Sequence, residues 1–406
     1  GLSAPIQGLM SSDDNNLLAP YNNKAGYAHF NESGWNSYAQ ITSKQLPVLY
    51  ASTQSKSDQS FWFTSNQGLV HIANNTTLET IQPNANTGAY KTIQSDKNNL
   101  IWVVQENQGL VRQSNNAWTN IPVPSNLLKS GLDQFIINNN QQAWMIAPNS
   151  QGIYVYQSKD VFSNEIWVQL VTQAGHGNLP SNHVTSLAVD KTGSIWVGTD
   201  NGIGIFNCGD VSNEPCNAYL PIVNNNGFNG YLFQKEIVNC IAIDGANRKW
   251  IGTHNGAWLL SSDGLEIIEH FTSLTSPLPT DTITQITIAP NSGEVFFNTT
   301  KQMVSYRGTA TKSVTTQNAI DIYPNPVGPN FAGPIAFRGL VENAVVKITD
   351  LTGRLLYQTK ALGGQAVWNG RTYEGKKVAT GIYLVFVRDL AGNEKGVGKI
   401  VIADGY

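Results

Sequence analysis

The chain has 406 residues, 41% of them hydrophobic, 10% aromatic and 13% charged, enough apolar material for a buried core and too much for a chain disordered along most of its length. Lys plus Arg (25) nearly balance Asp plus Glu (28), a formal net charge of −3, so no broad electrostatic field argues for nucleic acid or an anionic membrane surface. No run reaches the ~18 apolar residues of a membrane-spanning helix, and the first ten residues lack the basic-then-apolar order of a signal peptide. The sequence therefore reads as a soluble chain, mature or trimmed, of two or three domains.

Residues 4–39 read as a degenerate first repeat. Ile6 and Leu9 belong to an inner strand, residues 11–16 to a turn, Gly26 opens a third strand, and Trp35 sits in a fourth. The Asp13-Asp-Asn-Asn16 cluster lacks the alternating spacing and acidic closing ligand of a calcium loop, and reads as a solvated hairpin turn. Regular copies follow. Trp62, Trp102, Trp144, Trp196 and Trp250 recur at intervals of 40, 42, 52 and 54, and Phe296 extends the series by 46. A turn residue stands six before the aromatic in Asp96/Trp102, Asn138/Trp144, Asp190/Trp196, Asp244/Trp250 and Pro290/Phe296. β-Branched runs such as Val184-Thr-Ser-Leu-Ala-Val precede each turn. A glycine (Gly68, Gly109, Gly152, Gly202, Gly256) opens the next strand, and Trp118 and Trp167 mark outer strands. A period of this length built from strands and turns is the pattern of a β-propeller, and the count predicts seven blades over residues 1–308 with the tryptophans as packing residues.

Cys208 and Cys216 lie eight apart in a polar loop and predict a short disulfide ring suited to an oxidising compartment, with Cys240 a free buried thiol. Residues 309–319 read as a linker of Thr, Ser, Ala and Gly without apolar periodicity. Short alternating strands return in 320–406, among them Ile335-Ala-Phe, Ala344-Val-Val-Lys-Ile and Gly381-Ile-Tyr-Leu-Val-Phe-Val, which predict a small Ig-like β-sandwich.

The strings Ile195-Trp-Val-Gly-Thr-Asp-Asn-Gly and Lys249-Trp-Ile-Gly-Thr-His-Asn-Gly, with the lead-ins Leu179-Pro-Ser-Asn-His-Val184 and Leu278-Pro-Thr-Asp-Thr-Ile283, resemble the two-component regulator propeller repeat. The resemblance fades in the first and last copies, where Leu17 and Phe296 stand for Trp. Ile322-Tyr-Pro-Asn-Pro326, Ile348-Thr-Asp-Leu-Thr-Gly-Arg354, Val367-Trp-Asn-Gly370, Ala379-Thr-Gly-Ile-Tyr-Leu384 and Gly398-Lys-Ile-Val-Ile402 resemble, in order and spacing, the type A C-terminal sorting domain of the type IX secretion system of Bacteroidetes. The tail Ala403-Asp-Gly-Tyr406 departs from it. The combination is similar to the PorZ-like family of type IX surface proteins, which carry two propellers; one is visible here, so the resemblance implies a fragment or a shortened relative. It also implies a non-catalytic role at the outer membrane or outside the cell: binding anionic lipopolysaccharide and presenting it to a PorU-type sortase among other attachment-complex proteins.

Catalytic strings are absent: no G-x-S-x-G, H-E-x-x-H, phosphate-binding loop or dinucleotide fingerprint occurs. No metal or cofactor is expected, and His176 with His183 reads as two surface residues flanking a Pro turn. Candidate ligand-binding residues come from the turns between second and third strands and the blade connections, which a propeller places on one face: Asn66, Gln67, Asn107, Asp200, Asn201, His254, Asn255 and His183. Amides supply donor and acceptor together, which suits the hydroxyls of a glycan; the same residues also suit the geometry of tight turns. The enzyme alternative, a secreted lyase or glycosidase, requires two acidic groups in one pocket.

Overall fold

The computed structural model describes all residues except 1–8, 12–16, 32–33, 56, 74–75, 84–88, 107, 115–116, 126, 128–133, 161–162, 212–214, 226–227 and 404–406. Ile6, the Asp13 cluster and Asn107 lie outside the described residues. Those described form two compact units, one within 1–243, 249–289 and 296–305, the other comprising 244–248, 290–295 and 306–406.

The fold is all-β. Among the described residues of the first unit, the strands group into seven sheets of three or four strands in chain order, each touching the next and the last touching the first. The second strands Phe61–Ser65, Ile101–Gln105, Ile195–Thr199 and Lys249–Thr253 are buried throughout, because sheets stacked face to face bury both sides of their central strands. Trp102, Trp144, Trp196 and Trp250 are almost wholly buried between sheets. The fifth sheet has three strands, and the stretch after it forms the hairpin Ile222–Asn225 with Phe228–Tyr231. Ser11, assigned above to the first turn, instead ends the strand Met10–Ser11.

The residue six before Trp102, Trp144 and Trp196 has a definite task. Asp96 Oδ1 accepts the backbone N–H groups of Asn98 (2.8 Å) and Leu100 (3.0 Å), and its Oδ2 accepts Trp102 Nε1 (2.9 Å). Asp190 does the same for Thr192, Ser194 and Trp196. One carboxylate thus folds the turn and orients the indole. At Asn138 the second side-chain atom is a donor, so it gives its hydrogen to Gln142 Oε1, and that oxygen accepts Trp144 Nε1 at 3.2 Å. The fourth residue of each turn has positive φ (Asn99 64°, Gln141 60°, Gly193 90°, Asn247 60°), the left-handed conformation that Asn and Gly tolerate best.

Polar residues in the inner strands stitch the ring. Register shifts leave Thr185 and Asn239 as extra residues in their strands, and β-bulges of this kind re-aim side chains. Thr185 Oγ1 donates to Val238 O, and Asn239 Nδ2 to Ile283 O at 2.9 Å, each in the next sheet. Closure is made by Gln285, which takes Leu9 N (3.0 Å) and donates to Leu9 O (2.7 Å).

In the second unit, a three-stranded sheet (Asp321–Tyr323, Ile335–Arg338, Gln365–Trp368) and a four-stranded one (Leu355–Lys360, Val345–Thr349, Gly381–Arg388, Glu394–Ile402) enclose one core that includes Phe337, Val346, Trp368, Val385 and Ile400. Asn325 of the Tyr-Pro-Asn-Pro string caps the edge strand: its Nδ2 donates to Lys399 O (2.9 Å) and its Oδ1 accepts Val401 N (3.0 Å). Within 309–319, read above as a linker, Ala310 and Thr311 are buried, and Thr311 and Val314 form bridges with Gly363 and Val341.

Candidate functional site

The turns between second and third strands are built alike. Ser65, Thr199 and Thr253 each accept, through the side-chain oxygen, the backbone N–H two residues on (3.1, 3.0 and 2.9 Å) and donate to the glycine carbonyl three residues on. These hydroxyls hold the two intervening polar residues at the tip. The glycines that close the turns cannot be replaced easily: at Gly256 (φ +112°) a Cβ would sit 2.2 Å from Phe271 O. The tips meet the blade connections, as Asp200 N donates to His183 O and Gly202 N to Glu236 O, both at 3.2 Å.

The expected residues on this face divide by task. His183 Nδ1 lies 3.2 Å from Asp200 Oδ2, the one close side-chain pair formed between two of the described candidates. Asn201 is a brace: Nδ2 donates to Pro180 O (3.3 Å) and Oδ1 accepts Lys235 N (3.0 Å). Asn255 Nδ2 reaches both carboxylate oxygens of Glu236 at 2.8 Å. Asn66, Gln67 and His254 are exposed at their tips, the first two on the second sheet and His254 on the sixth. Asp281, on the next connection, accepts Ser273 N at 2.6 Å, and that bond holds its carboxyl below the usual range.

A cavity of about 400 Å³ also opens among the inner strands of the fifth to seventh sheets, with Thr185, Ser186, Asn239, Cys240, Thr284 and Gln285 in its wall. Among the described residues no charged group lines it. Its signal in the sequence is the polar pair near the start of each apolar inner strand, Thr-Ser in 184–189, Asn-Cys in 238–243 and Thr-Gln in 283–289. Burial pushes the Cys240 thiol up to about 12, so it lies in the wall as a neutral group. Cys208 and Cys216 are joined by a disulfide with Cα atoms 5.8 Å apart. Among the described residues no group of three or more His, Cys, Asp or Glu forms a metal-binding set, and no helix is long and apolar enough to cross a membrane.

Residues 321–403 match the secretion system C-terminal sorting domain family, and 178–201 match the two component regulator propeller. No curated protein matches in sequence. Among solved structures, PorZ, a bacterial surface component of the type IX secretion system of Porphyromonas gingivalis, is similar with a TM-score of 0.64 at 21% identity over 98% of this chain. The chain spans 59% of that PorZ structure. The extracellular domain of a putative one component system from B. thetaiotaomicron is similar with a TM-score of 0.52 at 13% identity, over 99% of this chain and 57% of that one. Virginiamycin B lyase from Staphylococcus aureus is similar with a TM-score of 0.53 at 14% identity, over 74% and 93%. The chain is therefore PorZ-like in fold, a regulator-type propeller with a secretion sorting domain, and that domain assigns it to the cell surface or the medium.

Proposed function

We propose that this chain is a non-catalytic propeller of the type IX attachment machinery that binds anionic lipopolysaccharide and presents it to a PorU-type sortase. The supporting observation is the wall of the inner-strand cavity, which among the described residues presents hydroxyls and side-chain amides beside Leu187, Cys240, Ile241 and Ile286, and no carboxylate. Such a wall matches sugar hydroxyls and lacks the paired acids that glycosidic cleavage requires. The exposed His254 and Lys235 on the adjoining face supply donors for anionic groups. The test is binding of the full chain to anionic and to neutral lipopolysaccharide from the same cells. Selective binding of the anionic form is expected, and equal or no binding sinks the reading.

A second reading is a type IX-secreted cargo protein acting on or binding polysaccharide. The His183 and Asp200 pair favours it, since an imidazole beside a carboxylate is a general-base arrangement. Turnover of a polysaccharide by the pure chain, lost in His183→Ala, would replace the first reading with this one.

A further inference from the structure

We propose that the outer face of the four-stranded sheet in the second unit is a docking surface for a protein of the secretion machinery that presents carboxylates around an apolar patch. The proposal rests on the sorting-domain match and is independent of what the propeller binds.

In two of the strings that carry the sorting-domain resemblance, alternate residues are accounted for by the core: Tyr383, Ile400 and Ile402 are buried. Their neighbours are not. Ile382 is 43% exposed, Leu384 and Val401 are part-exposed, and Lys399 is exposed. Because strand residues alternate between faces, this second set lies together on the solvent side, and packing gives no reason for its apolar members.

The register shows what they form. Ile382 stands opposite Val401, Leu384 opposite Lys399, and Phe386 opposite Gly396, which has no side chain to cover its ring. On the other side Phe386 faces Lys347, and Arg388 faces Val345, which in turn faces Lys360. The result is an apolar stripe along Gly381–Arg388 with cations at its margins. Glu394, which stands opposite Arg388, is a carboxylate on this face, and Lys347 engages it at 2.5 Å. Of the nearby turn carboxylates, Asp350 is paired with Arg354, whereas Asp389 accepts from the neutral amide of Asn393 and keeps its charge. Lys347, Lys360, Arg388 and Lys399 thus outnumber Glu394 and Asp389 and leave the face with an excess of positive charge. An apolar centre with a polar, charged rim is the anatomy of a protein interface, and the sign of the rim calls for an acidic partner.

The test uses the full chain produced in a bacterium with type IX secretion, with surface antigen measured on intact cells. Arg388→Glu with Lys399→Glu should lower the surface amount by about tenfold or more, whereas Lys376→Glu, outside this sheet, should leave it unchanged. Thermal melting of the purified chains checks folding. A second variant, Leu384→Ser with Arg388→Gln and Lys399→Gln, must show the same loss. Unchanged surface amounts for the folded variants would overturn the proposal. Binding of the wild-type chain to phosphatidylglycerol vesicles, lost in the charge-reversal variant while export persists, would overturn it in favour of a membrane surface.

Discussion

Lys249 Nζ lies 3.1 Å from Asp190 Oδ2 across the boundary between the fifth and sixth sheets, with its side chain wholly buried. The same ammonium stands over the Trp196 ring, 4.7 Å from its centroid, and donates to Ser262 O. Asp190 already folds its own turn and orients that indole. One buried ion pair therefore ties a turn, a core aromatic and the neighbouring sheet together.

Removing either partner leaves the other charge buried without compensation. Lys249→Ala or Asp190→Ala should each cost about 3–5 kcal/mol, while Asp190→Asn with Lys249→Met should recover much of the loss. Urea unfolding of the three variants checks this.

Acid should act through the same carboxylate. Burial pushes the Asp190 pKa up, but hydrogen bonds from Thr192, Lys249 and Trp196 outweigh it and hold the group below its ordinary value. A depressed folded pKa contributes stability above the unfolded value, and that stability is lost as pH falls through the folded one. Melting temperature should therefore fall below about pH 4, with a smaller fall in Asp190→Asn.

The turn carboxylate can be tested apart from any interblade pair at Asp96. Asp96→Ala strands a buried indole N–H and two turn N–H groups and should cost about 3 kcal/mol. Gln142→Ala should also destabilise, because Gln142 carries the corresponding bond to Trp144. Denaturation midpoints check both.

Face residues should separate by task. Asn201→Ala removes two connector bonds and should lower stability by about 1–3 kcal/mol, leaving lipopolysaccharide binding unchanged once folded. His254→Ala should lower binding and leave the melting temperature unchanged. Calorimetry beside thermal melting distinguishes them.

The cysteines should behave oppositely. Reduction of Cys208–Cys216, which closes a ring with a separation of eight residues, should cost about 2–3 kcal/mol by loop entropy. Cys240, buried and with its pKa pushed up to about 12, should resist iodoacetamide at neutral pH until the chain unfolds. Mass spectrometry of the alkylated chain checks this.

The repeat, the role of the tryptophans and the sandwich strands were legible in the sequence because each depends on contacts within a few residues. At Asp96 and Asp190 an aspartate reaches N–H groups two and four residues on and an indole six residues on. Local pattern could not show which tip residues are braces: Asn201 and Asn255 look alike in sequence to ligand-binding amides, and only the ring brings Lys235 and Glu236 against them. The inner-strand cavity and the buried Lys249 pair likewise required the sheets to be assembled. The sequence by itself thus determined the units and their turns, through short-range hydrogen bonds and alternation. The tertiary structure decided which polar groups are consumed between sheets and which stay open, because that depends on distances set by closure of the ring.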